Sequence, residues 1–135
     1  MRFGIPPDVF NDYLLFHRKK GWWLLRSSAY IAQAAKLKVE WAGIKAFHRV
    51  GKFIKPTTRV VQCFGHLASR CVVDVSRTEL EKLISGEALR KEVPFEDGYV
   101  ILRLDGTYVI GIGLWIRGQL ISQIPKKELP EAMFV

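Results

Sequence analysis

Apolar positions near the start of the chain recur at helical spacing. Val9, Phe10, Tyr13 and Leu14 follow steps of three or four residues, and residues 16–17 continue the pattern. Prolines and an acidic residue directly before this run suit the first turn of a helix. The pattern predicts a helix that opens at residues 6–8 and ends with the basic run 18–20, before a glycine.

Shorter apolar runs follow, separated by turn residues. Residues 22–26, 38–41, 44–50 and 71–75 are typical of strands, and 29–36 of an alanine-rich helix. Residues 51–56 form a basic loop, after which Thr57 or Thr58 caps a short helix that ends at Gly65. Ser76 and Glu79 have the spacing of a capping box, which predicts a helix running to a glycine at 86.

The last third of the chain has the pattern of an antiparallel unit. Runs at 99–104, 107–116 and 120–124 predict three strands. Asp105-Gly106 predicts a type I′ hairpin turn, and Arg117-Gly118 a second turn. Gly111 and Gly113 alternate along the middle strand and leave one face bare, which allows a neighbour to approach closely. We therefore expect an α+β fold.

The excess of positive charge is confined to the first half of the chain. The total is +8, but residues 1–70 carry 13 Lys/Arg against 3 Asp/Glu, and residues 71–135 carry 8 against 10. The first half therefore has a net charge of +10, and the second half has a net charge of −2. Such a bias is typical of proteins that bind phosphate backbones, although charge alone does not separate RNA, DNA and an anionic membrane.

The end of the chain resembles a PUA-like RNA-binding domain of the kind found at the C-terminus of Nop/Sun-class RNA cytosine-5 methyltransferases. Stand-alone ribosome-biogenesis proteins with a pre-PUA and a PUA part look similar. The resemblance spans residues 43–128. The matching positions are Gly98-Tyr99-Val100, Asp105-Gly106, Gly111, Gly113, Gly118, Leu120 and Pro125-Lys126, with Leu83, Gly86-Glu87, Lys55-Pro56-Thr57 and Cys63-Phe64-Gly65 upstream.

This resemblance implies a basic α/β, pre-PUA-like region at 1–70, packed on a PUA-like mixed β-barrel at 71–135. It also implies RNA binding in rRNA or tRNA modification or in ribosome biogenesis. The resembled enzymes carry their nucleophiles after Pro or Thr, whereas Cys63 follows Gln62 and Cys71 follows Arg70. No glycine-rich nucleotide loop precedes a helix. We therefore expect the RNA-binding part without catalysis.

Metal and membrane chemistry find little support in the sequence. Cys63, His66, Cys71 and the distant His48 match no standard zinc spacing, so we expect neither a metal nor another cofactor. Two cysteines are too few for a disulfide framework, which favours a cytoplasmic location. No uncharged run approaches the ~20 apolar residues that a membrane helix needs.

The candidate RNA contacts are basic residues in a stretch without acids and at the end of the barrel. The RNA-binding candidates are Lys45, His48, Arg49, Lys52, Lys55, Arg59, Arg70, Lys126 and Lys127. Trp22 and Trp23 are adjacent in a predicted strand, so we expect one to enter the core and the other to be exposed. An exposed Trp suits stacking on a base or a protein partner. The alternative function is therefore an adaptor of a separate RNA methyltransferase or ribosome-assembly factor.

Overall fold

The computed structural model describes residues 2–27, 43–51 and 53–125, which form two sheets and two helices. The first sheet has the order β1-β2-β3-β4, and the second has the order β5-β7-β8-β9-β6. The strands are β1 (Tyr13–Arg18), β2 (Gly21–Arg26), β3 (Ile44–Val50), β4 (Phe53–Pro56), β5 (Val72–Val75), β6 (Leu89–Arg90), β7 (Gly98–Leu104), β8 (Tyr108–Ile116) and β9 (Gln119–Ser122). The helices are α1 (Thr58–Phe64) and α2 (Arg77–Ile84), with short 3-10 helices at Pro7–Phe10 and Gly65–Leu67. The fold is mixed, with mostly strands.

The helix predicted near the N-terminus is wrong. Only Pro7–Phe10 is helical there, and the following residues form β1, which pairs antiparallel with β2. Lys19 and Lys20 make the turn of this hairpin, with Lys19 at a φ of 55°. Pairing with a neighbouring strand outweighs a weak helical period, because aromatic residues such as Tyr13 and Phe16 suit a half-buried pleated surface. The loop predicted at 51–56 is also wrong in its second half, where β4 pairs with β3.

The second sheet lies between two hydrophobic clusters. β7 pairs parallel with β5 and antiparallel with β8. Its residues Val100 and Leu102 enter one cluster with α2, whereas Ile101 enters the other cluster with α1 and part of the first sheet. All three are at most 1% exposed. Apolar burial on both faces makes this strand the centre of the core.

The glycine and turn predictions of the last third are confirmed. Asp105, Gly106, Arg117 and Gly118 all have positive φ, as type I′ turns require. A Cβ on Gly111 would lie 2.8 Å from the Ile124 Cγ1 atom. A Cβ on Gly113 would lie 3.0 Å from a methyl of Leu120. The bare strand face therefore admits close neighbours, as its sequence indicates.

Both predicted helix starts after the basic stretch are confirmed. The Thr57 hydroxyl accepts the backbone N–H of Val60 at the start of α1. At α2, Ser76 and Glu79 form the reciprocal capping box. Helix α1 packs against β8 and β3, so it joins the two sheets. This packing holds β3, with its basic side chains, beside the second sheet.

Some predictions fall outside the described residues. These are the helix at 29–36, the strand at 38–41, and the candidate RNA contacts Lys52, Lys126 and Lys127. Within the described ranges, no helix has the length and apolar character needed to cross a bilayer.

Candidate nucleic-acid interface

A row of residues crosses all four strands of the first sheet. Arg18 is opposite Gly21, Gly21 is opposite His48, and His48 is opposite Lys55. Directly opposite residues share one face of a sheet. Gly21 leaves a gap in this row, and the side chain of Lys45 fills it: a Cβ on Gly21 would lie 2.7 Å from the Lys45 Cε atom. We call Lys45, His48 and Lys55 the basic cluster.

The basic cluster is electrostatically strained. Burial lowers the pKa of His48, and the neighbouring charges of Lys45 and Lys55 lower it further. Residues 41–73 contain no Asp or Glu, so this stretch of sequence supplies no carboxylate to relieve the repulsion. His48 is therefore neutral near pH 7 in the free protein. An approaching polyanion would stabilise all three side chains in their charged form.

Lys55 also links the first sheet to the second. Its Nζ atom donates to the Gln123 Oε1 atom at 3.0 Å, just beyond the end of β9. The same ammonium lies 5.9 Å from the centre of the Tyr99 ring on β7, a cation–π distance. The charge of the cluster is thus held over the seam between the sheets by contacts on both.

Thr57 and Arg59 extend the basic cluster towards α1. The Thr57 hydroxyl donates to the Lys45 carbonyl at 2.5 Å, which ties the start of the helix to β3. Arg59 is exposed in the first turn of α1, and with Lys45 it lines a shallow cavity of about 390 Å³. Four of the predicted RNA contacts, Lys45, His48, Lys55 and Arg59, are therefore brought together.

Arg49 is separated from this group by the sheet itself. His17, Trp22 and Phe47 form the adjacent cross-strand row, on the other face. The Arg49 guanidinium lies 5.9 Å above the Trp22 ring, and the rings of His17 and Trp22 are 4.9 Å apart. Trp22 and Trp23 are both half-buried, so the expected contrast of one core and one exposed Trp is not found.

The stack of His17, Trp22 and Arg49 was not predicted. His17 lies in the segment for which the sequence predicts a helix, and a helix there would not bring His17 against Trp22. The sequence gives no clear signal for the hairpin that pairs them, because residues 13–18 do not alternate between apolar and polar and Lys19-Lys20 is not a typical two-residue hairpin turn.

Arg70 lies in a different place from the basic cluster. It lines a groove of about 850 Å³ together with Arg2, Phe95, Glu96 and Arg103. This groove runs between the N-terminal arm, the segment before β5 and the loop before β7. Arg2 could not be assigned from sequence, because its role depends on contacts with residues 96 and 99.

Metal and thiol chemistry have no assembled site in the described part of the chain. No three His, Cys, Asp or Glu side chains of residues 2–27, 43–51 and 53–125 lie close enough together to hold a metal ion. Cys63 is exposed and Cys71 is buried, and both are free thiols. The geometry that stands out is therefore a set of cations on a rigid sheet.

Neither protein-family models nor curated proteins match this chain. A scan against protein-family models found no family that matches this chain. A search of the curated proteins likewise found no relative. The resemblance to PUA-like domains thus stays a prediction from the motifs, and the function has to be argued from the residues themselves.

Proposed function

We propose that this chain is a non-catalytic RNA-binding protein that holds structured rRNA or tRNA, in RNA modification or ribosome biogenesis. The observation that carries the proposal is the basic cluster on the first sheet. Lys45, His48 and Lys55 lie on one face, with Arg59 beside them. Phosphate oxygens are the natural partners of such a set, because they neutralise several cations at once.

The rigidity of the cluster favours a structured ligand. Lys45 and His48 lie on β3, whose neighbours on both sides hold it in place, and Lys55 is tied to Gln123. Fixed cations match a fixed arrangement of phosphates better than a flexible strand. A-form RNA helices are recognised largely in this way, by shape and backbone contacts.

We further propose that residues 71–135 form a PUA-like barrel, built on the second sheet. Its strands enclose a core with α2 on one side, and its two glycines allow the tight approach of Ile124 and Leu120. Such a curled sheet is consistent with a barrel-like domain. On this proposal the basic region at 1–70 supplies phosphate contacts, and the barrel supplies the frame that positions them.

Salt-dependent binding tests the proposal. We expect a labelled tRNA or an rRNA hairpin to bind with an affinity that falls linearly on a log–log plot against salt. Lys45→Glu and Lys55→Glu should each weaken binding by about tenfold or more and reduce the salt slope by about one. Fluorescence anisotropy over a salt series measures both quantities.

Lys82→Glu is the matched control, because Lys82 is exposed on α2, away from the cluster. It should leave the salt slope close to that of the wild type. Equal affinities for all four proteins would remove the basic cluster from the RNA interface. If the protein binds RNA, crosslinking in native cells followed by sequencing distinguishes rRNA from tRNA as the target.

An adaptor function is the second candidate, and exposed apolar side chains favour it. Leu14, Leu15, Val50 and Ile54 of the first sheet are all exposed, at 44–55%. Leu15 and Ile54 share the face that carries Trp22, and exposed apolar residues on one face fit a protein interface with an RNA methyltransferase or an assembly factor. A Leu15→Lys variant should lose that partner in a crosslinked pull-down while it keeps RNA affinity. If the variant keeps both its partner and its RNA affinity, the result counts against the adaptor function.

A further inference from the structure

The groove beside Arg70 is built from a fixed N-terminal arm. The Phe3 carbonyl accepts the backbone N–H groups of Ser69 and Arg70 at 3.0 and 3.1 Å. The Ser69 hydroxyl donates to the Gly4 carbonyl at 3.1 Å. These bonds hold the arm against the segment before β5, so the groove exists before any ligand binds. Its volume of about 850 Å³ lies in the range of small-molecule sites.

Two of its arginines are used to build the walls. Arg2 donates from Nε to the Tyr99 carbonyl at 2.5 Å and from Nη2 to the Glu96 carbonyl at 2.9 Å. Arg103 makes a two-bond pair with the Asp74 carboxylate, at 2.6 and 2.8 Å. These groups stabilise the loop before β7 and the pairing of β5 with β7. They are not available as the main contacts of a ligand.

Arg70 and Glu96 differ from the wall residues. Both line the groove and both are exposed. Within the described ranges, neither side chain makes a hydrogen bond or an ion pair, and the two charges are not paired with each other. Pro94 and the half-buried Phe95 add apolar surface to the same groove, and Phe95 also packs against the hydrophobic core. A cation, a carboxylate and an apolar surface are thus presented to one cavity.

The groove also adjoins the basic cluster through one residue. The Tyr99 carbonyl is bound by Arg2 of the groove, and the Tyr99 ring lies 5.9 Å from the Lys55 ammonium. The groove and the basic cluster therefore both adjoin Tyr99, one at its carbonyl and the other at its ring.

We propose that the groove binds one unpaired nucleotide of the RNA that lies on the basic cluster. Arg70 holds its phosphate, the wall of Pro94 and Phe95 packs against its base, and the Glu96 carboxylate accepts from an exocyclic amino group. Single-stranded RNA is recognised in this manner, by stacking and by contacts to base edges. Uracil has no amino group, so it is the base that Glu96 disfavours. This inference rests on the proposed function.

Hairpins with and without a single-stranded tail test the groove. The probes share one stem, which is blunt or carries a short 3′ extension of cytidines or of uridines. The cytidine tail should raise the affinity of the wild-type protein by about tenfold over the blunt hairpin. Arg70→Ser should abolish that gain, so that this variant binds the tailed and the blunt hairpin with equal affinity. Glu96→Gln should remove the preference for cytidine over uridine.

Arg90→Ser is the control for Arg70→Ser, since Arg90 is exposed on β6 and does not line the groove. It should keep the full gain from the tail. Thermal unfolding of each variant checks that it is folded, and the Arg70 backbone bond to Phe3 does not depend on the side chain.

The results separate this inference from the proposed function. In one outcome the blunt hairpin binds, Lys55→Glu weakens that binding, and the tail adds no affinity. The groove then does not bind a nucleotide, whereas the basic cluster still binds RNA. A full tail gain in Arg70→Ser would overturn the groove in the same way. If no hairpin binds the wild-type protein, both proposals fail.

Discussion

The first sheet, β1 to β4, carries its charges differently from the second sheet, β5 to β9. Three ion pairs join described residues, and all three lie between residues 74 and 103: Asp74 with Arg103, Lys91 with Glu79, and Arg77 with Glu81. Arg103 lowers the pKa of Asp74 through its hydrogen bond. In the first sheet, burial and the charges of Lys45 and Lys55 lower the pKa of His48. The ion pairs around the second sheet join opposite charges, whereas the basic cluster brings like charges together.

Burial divides the two sheets in the same way. Val100, Ile101 and Leu102 of β7 are at most 1% exposed, and they contact apolar side chains on both faces. Leu14 and Leu15 of β1 are 44% and 55% exposed. Most buried apolar residues of the strands therefore lie in the second sheet, although Leu24 and Ala46 of the first sheet also enter the core. A mutation should accordingly act on stability in one sheet and on binding in the other.

The largest expected effect is on stability. Leu102→Ala should lower the free energy of unfolding by about 2–5 kcal/mol, because it leaves a cavity between α2 and the sheet. Leu15→Ala should change it by no more than about 0.5 kcal/mol. Urea denaturation followed by circular dichroism measures both. Equal losses from the two substitutions would break the contrast between the sheets.

The two helix caps offer a sharper comparison at smaller size. Ser76→Ala and Thr57→Ala should each cost about 1 kcal/mol of stability, because each removes an N-cap. Only Thr57→Ala should also weaken RNA binding, since the Thr57 hydroxyl holds the Lys45 carbonyl. Thr57→Ser keeps the hydroxyl and should restore both properties. If Ser76→Ala loses as much RNA affinity as Thr57→Ala, the two caps affect RNA binding only through general stability.

The smallest expected effect is a pH dependence of RNA affinity. In the free protein, burial lowers the pKa of His48, and the charges of Lys45 and Lys55 lower it further. At pH values above the ordinary histidine pKa, its imidazole is therefore mostly neutral. Bound phosphates favour the protonated form, and affinity should rise a few-fold as the pH falls through about 6.5. Stability of the free protein should fall over the same interval, because the unfolded chain takes up this proton more readily.

Two histidine variants check this dependence. His48→Asn should flatten the part of the pH profile that comes from the cluster, whereas His66→Asn, at an exposed site beyond α1, should leave it unchanged. Anisotropy titrations between about pH 5.5 and pH 8 measure the profile. A rise of equal size in both variants would assign the effect to other groups.

Local signals in the sequence predicted the local structure well in places. The capping box at Ser76 and Glu79, the cap at Thr57 and the turns at Asp105-Gly106 and Arg117-Gly118 all have the geometry expected of them. Each depends on residues within a few positions of one another, so short-range rules are sufficient. The predicted helix before residue 20 failed because its alternative, pairing with β2, was a contact between strands that the helical period does not encode.

The candidate site shows the same division. The sequence predicted that basic residues gather in an acid-free stretch, but it could not assign them to faces. In the pairing of β2 with β3, Trp22 is opposite Phe47 and Trp23 is opposite Lys45, so a bulge leaves Ala46 as an extra residue. This bulge brings Lys45 to the face of His48, although the two residues are three positions apart. His48 and Arg49 follow ordinary alternation, so the first faces Lys55 and the second lies over Trp22.

The sequence by itself determined the charge asymmetry, the caps, the turns and the glycine strand, because each follows from composition or from a few adjacent residues. Only the tertiary structure decided that Gly21 makes room for Lys45, that Tyr99 joins Lys55 to Arg2, and that Arg70 belongs to a separate groove. These contacts join residues far apart in the chain. Their energies depend on which strands pair and in which register, and that is settled by the packing of the whole molecule.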